Sequence, residues 1–382
     1  MTDPTSARAA GDWSDWLDGQ LHTIRSEGRW RSYRDFDAWG PRGTLTATAT
    51  DVVSFASNDY LGLTTHPAVL DASKAAIDRW GTGSGGARLI TGARPVHREL
   101  EHELAAWKGT DRAVLFPTGF AANLGVLTAL GTTGTRIVSD SRNHASIIDG
   151  TRLAQADVFV WPHGDLAGLV ALVADSGAPT LVVADSVFSM DGDVLDVVAV
   201  ADVCRRHQAV LVLDEAHSVL GPHPTAEDLG GVEVVRVGTL SKTLGALGGF
   251  AACSDRVADL LVNVARSGIF TTALSPADAA AALAALRVVR STEGHGLVAT
   301  LGRHVERLRA GHPSPIVPIV LGDERRALDA AAHLLEQGLL VPAIRPPTVA
   351  PGSSRLRVTL SAAHTDAEVD RLMAVLDAVT GV

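Results

Sequence analysis

The chain has 382 residues, of which 46% are hydrophobic and 20% charged, and a formal net charge of −10. That length points to a large domain with a smaller companion, and the apolar content excludes a disordered chain. The negative charge excludes a sequence-independent binder of nucleic acid or of an anionic membrane. An anionic ligand would have to be met locally, by a few Arg side chains or a helix N-terminus.

The first twenty residues carry Asp3, Asp12, Asp15 and Asp18 and no apolar run, so no secretory leader is expected. Residues 1–50 are rich in Trp and Arg and read as an arm of helix, loop and short hairpin. Over 51–276 short apolar runs recur, at 113–116, 136–139, 158–161, 180–184, 209–213, 234–238 and 249–253. Helical segments such as 166–174 and 197–207 lie between them. Near-continuous apolar strands alternating with helices predict a large α/β domain with a mostly parallel sheet covered on both faces. Residues 277–382 read as an Ala/Leu-rich helix, a strand at 316–321, a helix at 325–337, a strand at 355–360 and a helix at 366–379. That pattern predicts a smaller α+β domain with an antiparallel sheet, the N-terminal arm packing beside it. The stretch from Ala113 to Thr135 is uncharged, but Pro117, Asn123 and Gly119, Gly125, Gly131 and Gly134 make it strand, turn and helix rather than a membrane span. The chain is therefore expected to be cytoplasmic, with no membrane partner.

Cys204 and Cys253 show no CxxC spacing and no His at metal-ligand distance, so they read as buried thiols and no metal is expected. Asp214-Glu215-Ala216-His217 matches four letters found in helicase-type ATPases. That reading needs a phosphate loop, and the one Lys followed by Ser or Thr, Lys242, is preceded by Ser241 rather than Gly. Gly81-Thr82-Gly83-Ser84-Gly85-Gly86 satisfies GxGxxG but follows a helical run instead of a strand. It reads as a glycine loop open to a ligand or a partner subunit.

Open α/β sheets bind ligands beyond the carboxyl ends of their strands. Those ends carry Thr118-Gly119-Phe120, His144, Asp185 to Asp193, Asp214 to His217 and Thr239 to Lys242. Of three lysines, Lys74 sits mid-helix and Lys108 ends a helix at Gly109, so both read as surface residues. Lys242 follows a strand, is flanked by Thr239, Ser241 and Thr243, and precedes a glycine-rich apolar run. Desolvation there would favour the neutral amine that forms an imine. Asp214 can face the ring nitrogen of a pyridine cofactor, His217 its phenolic oxygen, and His144 its ring face. Backbone N–H groups at Gly119 and Phe120, with the hydroxyls of Thr239 or Ser241, can hold its phosphate. Taken singly, Asp214 reads as well as a helix cap and His217 as a core histidine; the set together with Lys242 does not.

Ser57-Asn58-Asp59-Tyr60-Leu61-Gly62-Leu63, Thr118 to Asn123, Asn143-His144-Ala145-Ser146, Phe188-Ser189-Met190-Asp191-Gly192-Asp193, Asp214 to His217, Ser241-Lys242-Thr243-Leu244-Gly245 and Ile344 to Thr348 resemble the α-oxoamine synthases, which are fold-type-I transferases dependent on pyridoxal 5'-phosphate. The likeness runs from about Ser57 to the C-terminus. It implies that Lys242 carries the cofactor as an imine, His144 stacks on the ring, Asp214 pairs with the pyridinium, and His217 and Ser189 bond the phenolic oxygen. Gly119, Phe120 and Thr239 would serve the cofactor, and Thr271 or Thr272 would reach the phosphate of a neighbouring subunit in a homodimer. Asn58 and Arg357 would hold the amino-acid carboxylate, and Arg345 and Thr348 would line the substrate mouth. Among Arg29, Arg31 and Arg34, Arg31 is the choice for the distal carboxylate of the acyl chain. Two departures stand out: the Asp214–Lys242 interval is short, and Pro222 and Pro224 replace a glycine-rich turn.

The member resembled most closely implies L-alanine and pimeloyl-CoA, or a pimeloyl-carrier thioester, as substrates. The alternatives are a sister enzyme joining glycine to acetyl-CoA or succinyl-CoA, and a silent subunit that keeps the fold and only binds. The presence of both Lys242 and Asp214 argues against the last.

Overall fold

The computed structural model describes residues 12–174 and 176–380; the reading of the extreme N-terminus as free of an apolar leader concerns, in part, residues 1–11, which lie outside them. Three sheets organise the chain. The first joins β1 (Phe36–Trp39), β2 (Arg42–Leu45) and β3 (Thr50–Ser54). The second holds β4 (Arg112–Phe116), β5 (Arg136–Asp140), β6 (Asp157–Trp161), β7 (Thr180–Asp185), β8 (Val210–Asp214), β9 (Val234–Thr239) and β10 (Gly249–Cys253). The third holds β11 (Ile316–Gly322), β13 (Ala343–Ile344) and β14 (Ser354–Thr359), while β12 (Leu339–Leu340) leaves this C-terminal region to pair with β3.

The seven-stranded sheet has the order β4-β10-β9-β8-β7-β5-β6. Only β10 runs antiparallel to its neighbours. Its strands are apolar throughout because both faces are covered. Alternate residues serve different cores, as a period of two requires. Ile137, Leu181, Val183 and Val212 pack under the helix Gly119–Leu130. Val138, Val182, Ala184, Leu211 and Leu213 pack under Leu166–Ala174 and Val197–Arg206. A third core joins the β4 edge and the helices Pro67–Trp80, Pro95–Lys108 and Pro276–Val289 to the small C-terminal sheet.

The helices start where the sequence offers caps. Thr118, Asp196, Ser254, Ser275, Ser291 and Asp323 each accept a first-turn backbone N–H, as N-cap residues do. The uncharged stretch from Ala113 resolves into β4, a turn and the helix Gly119–Leu130, and no described helix is long and apolar enough to cross a membrane. Parallel pairing of β5, β7, β8 and β9 brings Asp140, Asp185, Asp214 and Thr239 to one rim. The antiparallel β10 places Gly249 beside Thr239 and Phe116 there.

One reading of the sequence is corrected. Lys108 is not a surface residue: its side chain is 8% exposed, and its ammonium lies 2.7 Å from the Glu215 carboxylate. Glu215 also receives Arg236 at 2.5 Å. Burial pushes the Glu215 carboxyl up, but Lys108 and Arg236 outweigh it and hold it below its ordinary value. The reason is tertiary: the C-terminus of helix Pro95–Lys108 ends against the turn after β8.

Candidate active site

A cavity of about 240 Å³ opens at the rim, between the ends of β4, β5, β7, β8 and β9. Lys242 projects from the turn between β9 and β10, and its Nζ lies 2.7 Å from His217 Nε2. Burial lowers the Lys242 pKa, against the opposing pull of Asp214 and Asp185. Burial, reinforced by Lys242 and Arg357, holds His217 well below its ordinary value, so the ring is neutral.

Asp214 ends β8 and is buried. One carboxylate oxygen accepts the Ala216 N–H at 2.9 Å and the other the Asn123 amide at 2.7 Å. Among the described residues Asp214 has no Lys or Arg at ion-pair distance. A buried carboxylate without a countercharge is costly, and a protonated ring nitrogen in the cavity would relieve it. His144 caps the helix Ala145–Leu153, with Nδ1 2.8 Å from Ser146 Oγ. Its backbone N–H donates to Asp185 at 2.7 Å. Burial lowers the His144 pKa as well, keeping a neutral ring at the cavity wall.

Gly119 and Phe120 open a helix whose first-turn N–H groups have no intrahelical acceptor. Thr239 Oγ1 lies 2.7 Å from Ser241 Oγ beside them. A Cβ on Gly119 would stand 3.1 Å from Thr239 Cβ, so a glycine keeps this corner open. A carboxylate without an ion-pair partner among the described residues, a buried amine, neutral imidazoles and the helix N-terminus at Gly119 and Phe120 together fit the ring, aldehyde and phosphate of pyridoxal 5'-phosphate.

Arg357 is buried beside the cavity. It donates to Ser189 O at 2.5 Å, Thr359 Oγ1 at 2.8 Å and Asn58 Oδ1 at 3.2 Å. Asn58 and Arg357 therefore stand together, whereas Ser189 meets Arg357 through its carbonyl and does not line the cavity. Arg345 donates to Gly28 O at 2.6 Å and lies 3.6 Å from Glu324, with Thr348 exposed just beyond it. Arg31 and Arg34 are exposed, and Arg29 pairs with Glu27 at 3.0 Å. Thr271 and Thr272 lie outside the cavity wall of their own chain.

Three residues given no role by sequence reasoning belong to the site. Asn123 holds Asp214; its signal was a lone amide in an otherwise apolar helix. Asp185 lies opposite Asp214 in the β7–β8 register; burial and the Asp214 charge raise its pKa well above the carboxylate range. Tyr60 is fully buried and reaches His217. A larger cavity of about 730 Å³ lies behind Ala216 and Thr239, bounded by Pro224 where the short, proline-bearing segment runs. Its buried charges, Lys108, Glu215 and Arg236, are already matched to one another, so it lacks the unpaired groups of the smaller site.

Comparison with known proteins bears on this geometry. Residues 50–376 match the family model described as aminotransferase class I and II. An 8-amino-7-oxononanoate synthase of Anaeromyxobacter dehalogenans is 46% identical over 96% of this chain and 95% of its own. A structure described as SPT with PLP internal aldimine superposes with a TM-score of 0.87, at 27% identity over 96% of both chains. The 8-amino-7-oxononanoate synthase of Francisella tularensis superposes with a TM-score of 0.73, at 25% identity over 86% of this chain and 97% of that one. The chain belongs to the aminotransferase class I and II family, as a fold-type-I, pyridoxal-phosphate-dependent acyltransferase of the 8-amino-7-oxononanoate synthase group.

Proposed function

We propose that this chain condenses L-alanine with pimeloyl-CoA, or a pimeloyl-carrier thioester, to give 8-amino-7-oxononanoate, carbon dioxide and the free thiol. The observation that carries the reading is the amine of Lys242, desolvated and 2.7 Å from the neutral His217, in a cavity whose acid Asp214 has no Lys or Arg at ion-pair distance among the described residues.

Pyridoxal phosphate, when bound, supplies an aldehyde for the substrate amine and a ring that accepts the electron pair released at Cα. Asp214 would hold the ring nitrogen protonated, and His144 would cover the ring face. Gly119, Phe120, Thr239 and Ser241 would hold the phosphate. Arg357 and Asn58 would grip the alanine carboxylate. Lys242, in its uncharged form, would take the Cα proton as general base and return it after decarboxylation. Burial, which lowers its pKa, favours that form, since a charged ammonium has no lone pair to offer. Arg345 and Thr348 would guide the acyl chain at the mouth, with Arg31 meeting its distal carboxylate.

We read the enzyme as a cytoplasmic homodimer in which Thr271 or Thr272 serves the neighbouring subunit's phosphate. Strongly exposed Ile90, Phe270 and Leu89 support a covered face of that kind.

Two measurements test the reading. The protein loaded with cofactor should be yellow, bleach with borohydride and carry the reduced label on Lys242; Lys242→Ala should lose turnover at least a thousandfold, and near-normal activity in that variant would end the scheme. A panel of alanine, glycine and serine against pimeloyl-, acetyl- and succinyl-CoA should single out alanine with pimeloyl-CoA. A preference for glycine with a short acyl-CoA would replace it with the sister activity.

A further inference from the structure

The hydrogen bonds at His217 do not end at Lys242. On the other side of the ring, Nδ1 lies 2.5 Å from the Tyr60 hydroxyl. That hydroxyl lies 3.3 Å from Asn58 Oδ1, which already accepts Arg357 at 3.2 Å. A continuous chain thus runs from the residues placed to grip the substrate carboxylate, through Tyr60 and His217, to the amine. Tyr60 is fully buried, and burial pushes its phenol above its ordinary value, so it stays an O–H group.

A phenol has one proton to give, and its direction decides the tautomer of His217. Of the two acceptors in reach, Nδ1 at 2.5 Å is far closer than Oδ1 at 3.3 Å. A proton donated to Nδ1 leaves the ring hydrogen on Nε2, the nitrogen facing Lys242.

We infer that Tyr60 is the positioning residue that locks His217 as its Nε2–H tautomer, so that His217 donates a hydrogen bond into the site. Without cofactor that bond points at Lys242 Nζ, 2.7 Å away, and requires the uncharged form of the amine. With cofactor it is available to the phenolic oxygen, which it would hold as the anion. The assignment rests on the proposed cofactor role of Lys242 and His217, but the tautomer is a property of this chain alone.

The experiment uses the full-length protein labelled with ¹⁵N-histidine, without cofactor, the His217 resonances being identified by their loss in His217→Gln. The expected wild-type spectrum shows Nδ1 as a lone-pair nitrogen and Nε2 as an N–H. Tyr60→Phe keeps the ring that fills the core and should give a mixture of both tautomers. The loaded variant should show a raised pKa for its bound chromophore and about a tenfold lower kcat, the rate equivalent of one lost hydrogen bond. A wild-type His217 carrying its hydrogen on Nδ1 would overturn the assignment even if Tyr60→Phe failed to fold, and so would a tautomer unchanged in that variant. Either result would leave the condensation reading intact, because the borohydride label on Lys242 reports on that separately.

Discussion

At the scale of single residues, the site works by leaving the right groups unpaired. Asp214 illustrates this. It is buried, has two hydrogen-bond donors and, among the described residues, no Lys or Arg at ion-pair distance, whereas Glu215, next in the chain, is closed off by Lys108 and Arg236. One carboxylate is structural and the other is held open to a ligand. Asn123 is what keeps the open one in place, since its amide donates both to Asp214 and to Ser146 Oγ at 2.9 Å. Asn123→Leu keeps the branched shape of the side chain but removes that donor. A hydrogen bond to a charged group contributes about 1.5–3 kcal/mol, so cofactor affinity should weaken by tenfold or more. Absorbance titration of the cofactor-free protein measures it, and unchanged affinity would show that Asn123 is only a core residue. In the sequence, Asp214, His217 and Lys242 were legible because each follows an apolar strand. Asn123, Tyr60 and Asp185 were not assigned because their partners lie on other elements. Lys108 misled for the same reason: a lysine before a helix-ending glycine reads as exposed until the turn carrying Glu215 is packed against it.

At the scale of elements, the turn that carries Lys242 is held by backbone rather than side-chain contacts. Gly245 has φ +58, and a Cβ there would stand 2.6 Å from Thr64 N and 2.8 Å from Leu63 C. The Lys242 turn therefore lies directly on the segment that follows Asn58 and Tyr60. Gly245→Ala should cost about 1–2 kcal/mol for the left-handed backbone, and more for the contact, shifting the turn and lowering borohydride labelling of Lys242. Gly134→Ala is the control: φ there is +86 and nothing lies within 4 Å. Urea unfolding should show a clearly larger loss for Gly245→Ala, and equal losses would discard the argument. The sheet strands themselves were readable to within a residue or two, because burial on both faces demands unbroken apolar runs. Two-residue strands such as β12 and β13 leave no periodicity to read. The pairing of β12 with β3 joins segments nearly the whole chain apart and is a tertiary outcome that no local pattern encodes.

At the scale of the whole molecule, the three sheets are joined by a few polar fasteners. Arg42 pairs with Glu368 at 2.6 Å, Arg355 with Asp191, and Arg357 with Ser189 O. His364 is the fastener with a pH dependence. It is buried and stacked on Phe55 with ring centroids 4.2 Å apart. Its Nδ1 accepts the Ser361 N–H at 3.0 Å, and its Nε2–H donates to Ser54 O, also at 3.0 Å. A second proton would have to displace the Ser361 bond. Burial accordingly pushes the His364 pKa down to about 4, with His304 and Arg42 adding to it and Ser54 and Glu368 opposing it. The sign follows from linkage: above about pH 6.5 neither folded nor unfolded chain protonates this ring, so it contributes no pH dependence. As pH falls below 6.5 the unfolded chain takes up the proton and the folded chain does not, so stability drops until the folded ring titrates near pH 4. At about 1.4 kcal/mol per pKa unit the full loss is about 3 kcal/mol, of which about 2 kcal/mol is gone by pH 5. Denaturant unfolding at pH 7 and pH 5 should show that loss in the wild type. In His364→Gln the difference between the two pH values should shrink by about the same amount, although the variant is less stable at pH 7. An unchanged pH difference would place the acid sensitivity of this junction on another group.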